Sequence, residues 1–209
     1  MVKERITKSI VIAGVGGQGN ILASKIIAEA ARLQGLNAIV GEMFGSSQRG
    51  GSVASHVRLG DGVLSPISPE HGAQIICGIE PMEALRAAIR YVHPEGLVVT
   101  NSRTNQPIAV NMGKLTYPPL EKILGGLESL CAKVVSLDAT ELAIQAGGAV
   151  FTNMVLLGAM STVDILSLSV DSFEEAISQT VPKSLQMNLK AFNLGREECL
   201  ARKTERSYN

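Results

Sequence analysis

The chain contains no tryptophan, and aromatic residues make up only 3% of its 209 positions. Proteins that stack unpaired bases need aromatic platforms, so a single-stranded nucleic acid is not the expected partner. Charge is balanced too: 19 Lys+Arg against 19 Asp+Glu give a formal net charge of +0, without the basic footprint of a nucleic-acid binder. Cysteine is sparse. Cys77, Cys131 and Cys199 lie far apart and never form Cys-x-x-Cys, which excludes a self-contained iron–sulfur or Cys-rich zinc site by spacing. An odd, scattered set also argues against a secreted disulfide framework and for a reducing cytoplasm. No apolar run reaches the ~20 residues of a membrane-spanning helix. The most apolar stretch, 151–166, carries Thr152, Asn153 and Asp164 and reads as a buried helix. Lys3, Arg5 and Lys8 precede an apolar run, but it dissolves into glycines and no cleavage site follows, so no signal peptide is read. What remains is a chain with 45% apolar residues, enough for a proper core and too apolar for disorder. It has no long linker and no internal repeat, and it is expected to form one domain over 1–209.

A β-branched run, Ile6 to Ala13, ends in glycines and predicts a buried strand. Leu22, Ile26, Ala30 and Leu33 recur at helical spacing over 18–34, and Gly35 closes that helix. Asn37 to Glu42 predicts a second strand, so Ile6 to Glu42 reads as a βαβ unit with a parallel strand pair. Alternation lapses over "FGSSQRGGS", then resumes in "VASHVRLGDGVLSPIS" with a turn at Asp61-Gly62, which predicts a hairpin that brings antiparallel pairing into the sheet. Further strands are expected at 74–79, 97–101 and 133–137, with a short candidate at 108–110. Pro81 suits the first turn of a helix that would place Met82, Leu85 and Ile89 on one face. Residues 119–130 read as helical, and Asp138 is a good N-cap for a helix ended by Gly147-Gly148. From Ala149 onward the pattern is helical, with Pro182 interrupting. Leu189, Phe192 and Cys199 form a stripe on the last helix, and periodicity leaves open whether that stripe meets the core or a partner. The expected fold is α/β: a three-layer α/β/α domain whose mixed, mostly parallel sheet carries a hairpin insertion, followed by a helical C-terminal third.

Two motifs carry chemistry. Gly14-Val15-Gly16-Gly17-Gln18-Gly19 matches G-x-G-x-x-G between a predicted strand and helix. Glycines there permit a tight turn and close backbone approach, and the helix N-terminus offers N–H groups to a phosphate. Turn packing without a ligand is the plainer alternative. Glu42, near the end of the second predicted strand, is where an acid would hold a ribose hydroxyl. The second motif is a polar loop of Ser47, Gln48, Arg49, Gly50, Gly51 and Ser52. Gly-Gly backbone can form an anion nest, and the Arg49 fork suits phosphate or carboxylate; a solvated hairpin loop is the alternative. Gly60-Asp61-Gly62 opens a thiamine-diphosphate and magnesium signature, but Tyr91, Val92 and His93 occupy the zone where that signature needs Asn, so a turn is expected. His56, His71 and His93 show no metal-pair spacing; His56 shares a strand face with Arg58. Asp138 and Glu141 read as cap and surface. No catalytic residue and no metal site emerges. Two readings of the site stay open at this point: a stand-alone NAD(P)- or FAD-dependent oxidoreductase using Glu42, and a nucleotide-binding assembly module.

The motif pair "GVGGQGNILASKIIAEAA" and "GEMFGSSQRGGSVASHVR" resembles the gamma subunit of the 2-oxoacid:ferredoxin oxidoreductases, and within that family the beta subunit of the indolepyruvate type. "GIEPMEALRAAIRYVHPEGLVVTNS", Tyr117-Pro118-Pro119 and "SLDATELAIQAGGAVFTNMVLLGA" extend the resemblance over Ser9 to Arg196. Met43-Phe44-Gly45-Ser46 departs from the Thr-His-Gly often found before Gln-Arg-Gly-Gly, which leaves the substrate subclass open. Phe44 is expected either at a partner interface or packed beneath the loop. The resemblance implies an enzyme that decarboxylates a 2-oxoacid on thiamine diphosphate with magnesium, sends electrons through iron–sulfur clusters to ferredoxin, and yields an acyl-CoA. Thiamine and clusters would reside on a larger partner subunit. This chain would be a non-catalytic cytoplasmic subunit, inactive alone, holding no cofactor tightly and engaging neither nucleic acid nor membrane; homo-oligomerisation stays open. Coenzyme A, as co-substrate, would meet Gly14, Gly16, Gly17, Gln18, Gly19 and the polar loop Ser47 to Ser52.

Overall fold

The computed structural model describes residues 7–45, 51–105 and 116–207. Six strands and seven α-helices lie within these residues: β1 (Lys8–Val15), α1 (Asn20–Leu33), β2 (Ala38–Phe44), β3 (Ser52–Leu59), β4 (Ala73–Gly78), α2 (Pro81–Tyr91), β5 (Val92–Asn101), α3 (Leu120–Glu128), β6 (Lys133–Leu137), α4 (Ala139–Ala146), α5 (Thr152–Ser161), α6 (Val170–Thr180) and α7 (Leu185–Ser207). The predicted short strand at 108–110 lies outside the described residues.

The sheet order is β2-β3-β1-β4-β5-β6. Strands β1, β4, β5 and β6 run parallel, while β3 is antiparallel to both β1 and β2. The predicted three-layer α/β/α class therefore holds, but two local expectations do not. β1 and β2 are not a neighbouring parallel pair, because β3 is inserted between them. The hairpin is β2–β3, and its connection is the polar loop itself, not Asp61-Gly62. Burial explains the order. Val53, Ser55, His56, Val57 and Leu59 of β3 are buried, as befits a central strand, whereas every residue of β2 except Gly41 is half-buried or exposed, and β2 takes the edge. With β1 and β2 on its flanks, β3 has no free edge for a strand after Gly62. That segment turns instead: Asp61 Oδ1 accepts from Asn37 Nδ2 at 2.8 Å, and Gly60 N–H donates to Asn37 O at 2.9 Å.

Alternation along the strands divides the core. Ile10, Ile12, Ile75, Cys77, Leu97 and Val99 face α1 and the helices α4 to α7. Val11, Ala13, Ile76 and Val98 face α2 and α3. The face of α2 differs from expectation: Ala84, Ala87, Ala88 and Tyr91 are buried and Ile89 is exposed. The helix lies very close to the sheet, where a Cβ on Gly78 would come within 2.3 Å of Ala84 Cβ. Only small side chains fit that contact, so alanines face the sheet and Met82 and Leu85 pack at its margin. α5 is buried from Thr152 to Met160, the predicted all-round buried helix. The stripe on α7 meets the core: Phe192 is fully buried and Cys199 nearly so. Among the described residues, no helix is long and apolar enough to cross a membrane.

Candidate functional site

β1 ends in the glycine motif, and α1 begins directly after it. Gly19 is the N-cap in a left-handed conformation (φ 86°), with no side-chain cap and no acidic residue in the first turn of α1. The helix therefore presents its partial positive end without a compensating carboxylate. Gly17 is exposed with φ 98°. Gln18 turns inward: its Oε1 accepts from Val15 N–H at 2.7 Å. Gly14 sits in β1 opposite Val53, where a Cβ would lie 2.8 Å from Gln18 Oε1. Of the five predicted residues, Gly16, Gly17 and Gly19 line a groove; Gly14 and Gln18 shape the loop from within.

Ser47, Gln48, Arg49 and Gly50 lie outside the described residues. Gly51 and Ser52 are described, and they join the two motifs. Val15 is in register with Ser52, Gly16 N–H donates to Gly51 O at 2.9 Å, and Gly45 N–H donates to Ser52 O at 2.9 Å. The Gly16 amide is thus used between the loops, not offered to an anion. Asn20 ties the same corner together, donating to Ile12 O at 3.3 Å and Val53 O at 3.1 Å.

The groove, about 600 Å³, is lined by Gly16, Gly17, Gly19, Ile21, Lys25 and Phe44, among others. Phe44 is 65% exposed and forms one wall of the groove. α1 leaves β1 toward one face of the sheet, and α2 leaves β4 toward the other. Their divergence marks a topological switch point, the place where open α/β sheets receive ligands. A second cavity, about 480 Å³, lies beside β6 and contains none of the predicted site residues.

Sequence reasoning misses the acids beneath this corner. Glu80 and Glu83 are buried at the start of α2. Glu80 caps the helix by accepting from Glu83 N–H at 2.9 Å, and Tyr117 donates its hydroxyl to Glu80 Oε1. Burial, then the Glu80 carboxylate, pushes the Tyr117 phenol well above its ordinary range. Glu83 accepts from Ser52 Oγ at 2.5 Å and from Arg86 at 2.5 Å. The signal for them is Glu80-Pro81-Met82-Glu83, a cap, a proline at N1 and an acid in the first turn. Asn153 is missed as well; its Nδ2 donates to Gly19 O at 3.3 Å.

Glu42 is not among the residues lining the groove. It accepts from Ser24 Oγ at 3.0 Å and from Ser55 Oγ, and β2 continues two residues past it. Asp138 caps α4, accepting from Glu141 N–H at 2.9 Å, and both acids face Arg103 at 3.6 and 3.8 Å. Burial pushes the Cys77 thiol up to about 12. Among the described residues, no group of three or more His, Cys, Asp or Glu is placed to hold a metal ion.

His56 is fully buried, its ring edge-on to Tyr91 at 4.8 Å and its Nδ1 accepting from Ser68 N–H at 3.2 Å. Burial, reinforced by the Arg90 charge, lowers its pKa to about 4. The neutral ring carries its proton on Nε2, which has no partner among the described residues. The unfolded chain takes up a proton near pH 6.5, the folded one only near 4. Stability is therefore intact above about pH 6.5 and falls as pH drops toward 4, by roughly 3 kcal/mol at most from this group. Denaturant titrations at pH 7 and 4.5 are expected to show that His56→Leu loses less stability than wild type over that interval. Equal losses would mean that His56 is not the titrating group.

Comparison with known proteins follows the same outline. Residues 9–198 match the family described as Pyruvate ferredoxin/flavodoxin oxidoreductase. The chain is 44% identical over 189 residues to the "Indolepyruvate oxidoreductase subunit IorB" of Pyrococcus horikoshii, covering 90% of this chain and 93% of that protein. It superposes with a TM-score of 0.66 and 26% identity on the gamma subunit of a keto/oxoacid ferredoxin oxidoreductase from Geobacter sulfurreducens, over 93% of this chain and 99% of the other. A third similarity is to 2-oxoglutarate:ferredoxin oxidoreductase from Magnetococcus marinus, with 2-oxoglutarate, coenzyme A and succinyl-CoA bound. There the TM-score is 0.67 at 21% identity, over 95% of this chain and 32% of that one.

Proposed function

We propose a function on one premise: the chain belongs to the pyruvate ferredoxin/flavodoxin oxidoreductase family, as a subunit of an oxidoreductase acting on 2-oxoacids. In this reading it is the small, non-catalytic subunit of a cytoplasmic indolepyruvate or arylpyruvate:ferredoxin oxidoreductase. Its larger partner holds thiamine diphosphate, magnesium and the iron–sulfur clusters and passes electrons to ferredoxin. This chain completes the assembly and binds coenzyme A. What supports placing the thiamine and the clusters on the partner is that Cys77, Cys131 and Cys199 are scattered along the sequence and that Asp61 of the Gly-Asp-Gly turn accepts from Asn37. The dinucleotide alternative is less favoured, because Glu42 lies outside the groove lining and is held by Ser24 and Ser55.

The observation that carries the reading is the junction of the two loops through Gly16 N–H and Gly51 O at the carboxyl end of β1. Gly17 and the first turn of α1 supply backbone donors for a pyrophosphate, and Arg49 supplies a fork donor from the adjoining loop. Lys25 and Phe44 border the same groove, one cationic and the other apolar. Binding there is positional: the chain's residues hold the co-substrate and move no proton or electron.

The test is purification of the tagged chain with its partner under anaerobic conditions, followed by arylpyruvate- and CoA-dependent dye reduction. Arg49→Ala is expected to raise the apparent KM for CoA about tenfold, the loss of one charge-assisted contact, and to leave the KM for the 2-oxoacid unchanged. Activity of the isolated chain, or an unaltered KM for CoA in Arg49→Ala, would overturn the reading.

A further inference from the structure

We infer that Glu83 is a positioning residue for the glycine loop at which coenzyme A is proposed to bind, an inference that rests on the reading above. Glu83 is 4% exposed. Burying a lone carboxylate is very costly, so its partners define its role. One oxygen accepts from Arg86 at 2.5 Å and the other from Ser52 Oγ at 2.5 Å, while its place in the first turn of α2 sets it against the positive end of that helix. Ser52 is the first residue of β3 and is itself exposed. Pairing with Val15 and Gly45 holds its backbone, and the buried acid holds its side chain.

From Ser52 the path is short. The preceding carbonyl, Gly51 O, accepts from Gly16 N–H at 2.9 Å. One side-chain hydrogen bond, one peptide unit and one backbone hydrogen bond thus connect the start of α2 to the glycine loop. Glu80 secures the inner end, accepting from Glu83 N–H at 2.9 Å and from the Tyr117 hydroxyl. A carboxylate near an anion site is electrostatically adverse unless its charge is balanced, and Arg86 balances it. What Glu83 contributes is geometry. It fixes Ser52, and through Gly51 it fixes Gly16, leaving Gly17 and the first turn of α1 directed at the groove.

The experiment uses the complex of this chain with its partner subunit and coenzyme A itself as the probe. Glu83→Ala is expected to raise the KM for CoA about tenfold, the value of a hydrogen bond to a charged group. The fall in kcat is smaller than that rise, and the KM for the 2-oxoacid does not move. Glu83→Gln still accepts from Ser52 and restores most of the affinity. Ser52→Ala removes the same hydrogen bond and raises the KM for CoA even if Glu83→Ala fails to fold; because Ser52 also belongs to the loop assigned to coenzyme A, the two are run as a double-mutant cycle, in which adding Ser52→Ala to Glu83→Ala raises the KM no further. Melting curves run alongside separate a positional defect from a general loss of stability. An unchanged KM for CoA in Glu83→Ala or Ser52→Ala, while Arg49→Ala raises it, overturns the role of Glu83 and leaves the coenzyme A reading standing. If none of the three variants moves it, both fall. A Glu83→Gln complex that melts normally yet binds CoA as poorly as Glu83→Ala overturns the hydrogen-bonded route.

Discussion

Gly158→Ala is expected to lower the melting temperature by roughly 6–12 °C, the equivalent of about 3 kcal/mol in a chain of this size. Gly158 on α5 and Gly195 on α7 each face the other helix's backbone. A Cβ on Gly158 would sit 1.8 Å from Phe192 O, and one on Gly195 would sit 1.9 Å from Val155 O. Neither obstacle is a side chain that can rotate away. The helices would have to separate, and α5 has nowhere to go, being buried from Thr152 to Met160. Gly125→Ala makes the opposite test. Gly125 lies on an exposed position of α3, where an added Cβ would meet nothing within 4 Å. The same replacement there removes only the conformational cost of a helical glycine and should stabilise by about 0.5–1 kcal/mol. Thermal melts of the two variants should therefore move in opposite directions. Parallel shifts would mean that α5 and α7 are not in backbone contact.

This pair also shows where sequence reasoning runs out. A glycine within a helical pattern is legible as a cost, but its benefit depends on which helix lies across from it, a tertiary fact. The elements whose signals are local are readable. The pattern bounds β6 at Lys133 and Leu137, marks Asp138 as a cap, and places Pro81 at the start of α2. β3 reads as half of a hairpin, but on the wrong side. Asp61-Gly62 is a strong turn signal and does turn, with Gly60 and Gly62 at positive φ; what the dipeptide cannot express is that β3 already has a neighbour on each edge.

The site divides in the same way. Both loops are visible in the sequence because glycine, arginine and serine in those patterns have direct backbone and charge chemistry. That they touch follows from the insertion of β3 beside β1, which periodicity along one strand does not encode. Glu80 and Glu83 are hidden for a different reason. Acids in the first turn of a helix usually lie in water and interact with the helix dipole. Here α2 sinks onto the sheet through Ala84 and Ala88, which carries its amino end, and both carboxylates, below the surface.

Gly17→Ala and Gly19→Ala together decide whether the glycine motif is a ligand site or only a turn. Both residues have positive φ, 98° and 86°, so alanine at either costs about 1–2 kcal/mol in backbone strain. Their surroundings differ. At Gly17 an added Cβ meets nothing within 4 Å, whereas at Gly19 it falls 2.4 Å from Asn153 Nδ2. Asn153 is buried, donating to Gly19 O and accepting from Met154 N–H at 3.0 Å. Displacing it strands a buried amide for a further 1–3 kcal/mol or so. Gly19→Ala should therefore melt several degrees lower than Gly17→Ala, by about 2–4 °C per kcal/mol. For coenzyme A the expectation differs: Gly17 lines the groove, and a methyl there holds a phosphate away from the backbone donors. Gly17→Ala should raise the KM for CoA at least about tenfold while costing the fold no more than its backbone strain of about 1–2 kcal/mol. That separation of affinity from stability is what a ligand-binding loop produces. If Gly17→Ala shows only its small loss of melting temperature and an unchanged KM, the glycine serves φ alone, and coenzyme A binds elsewhere in the complex.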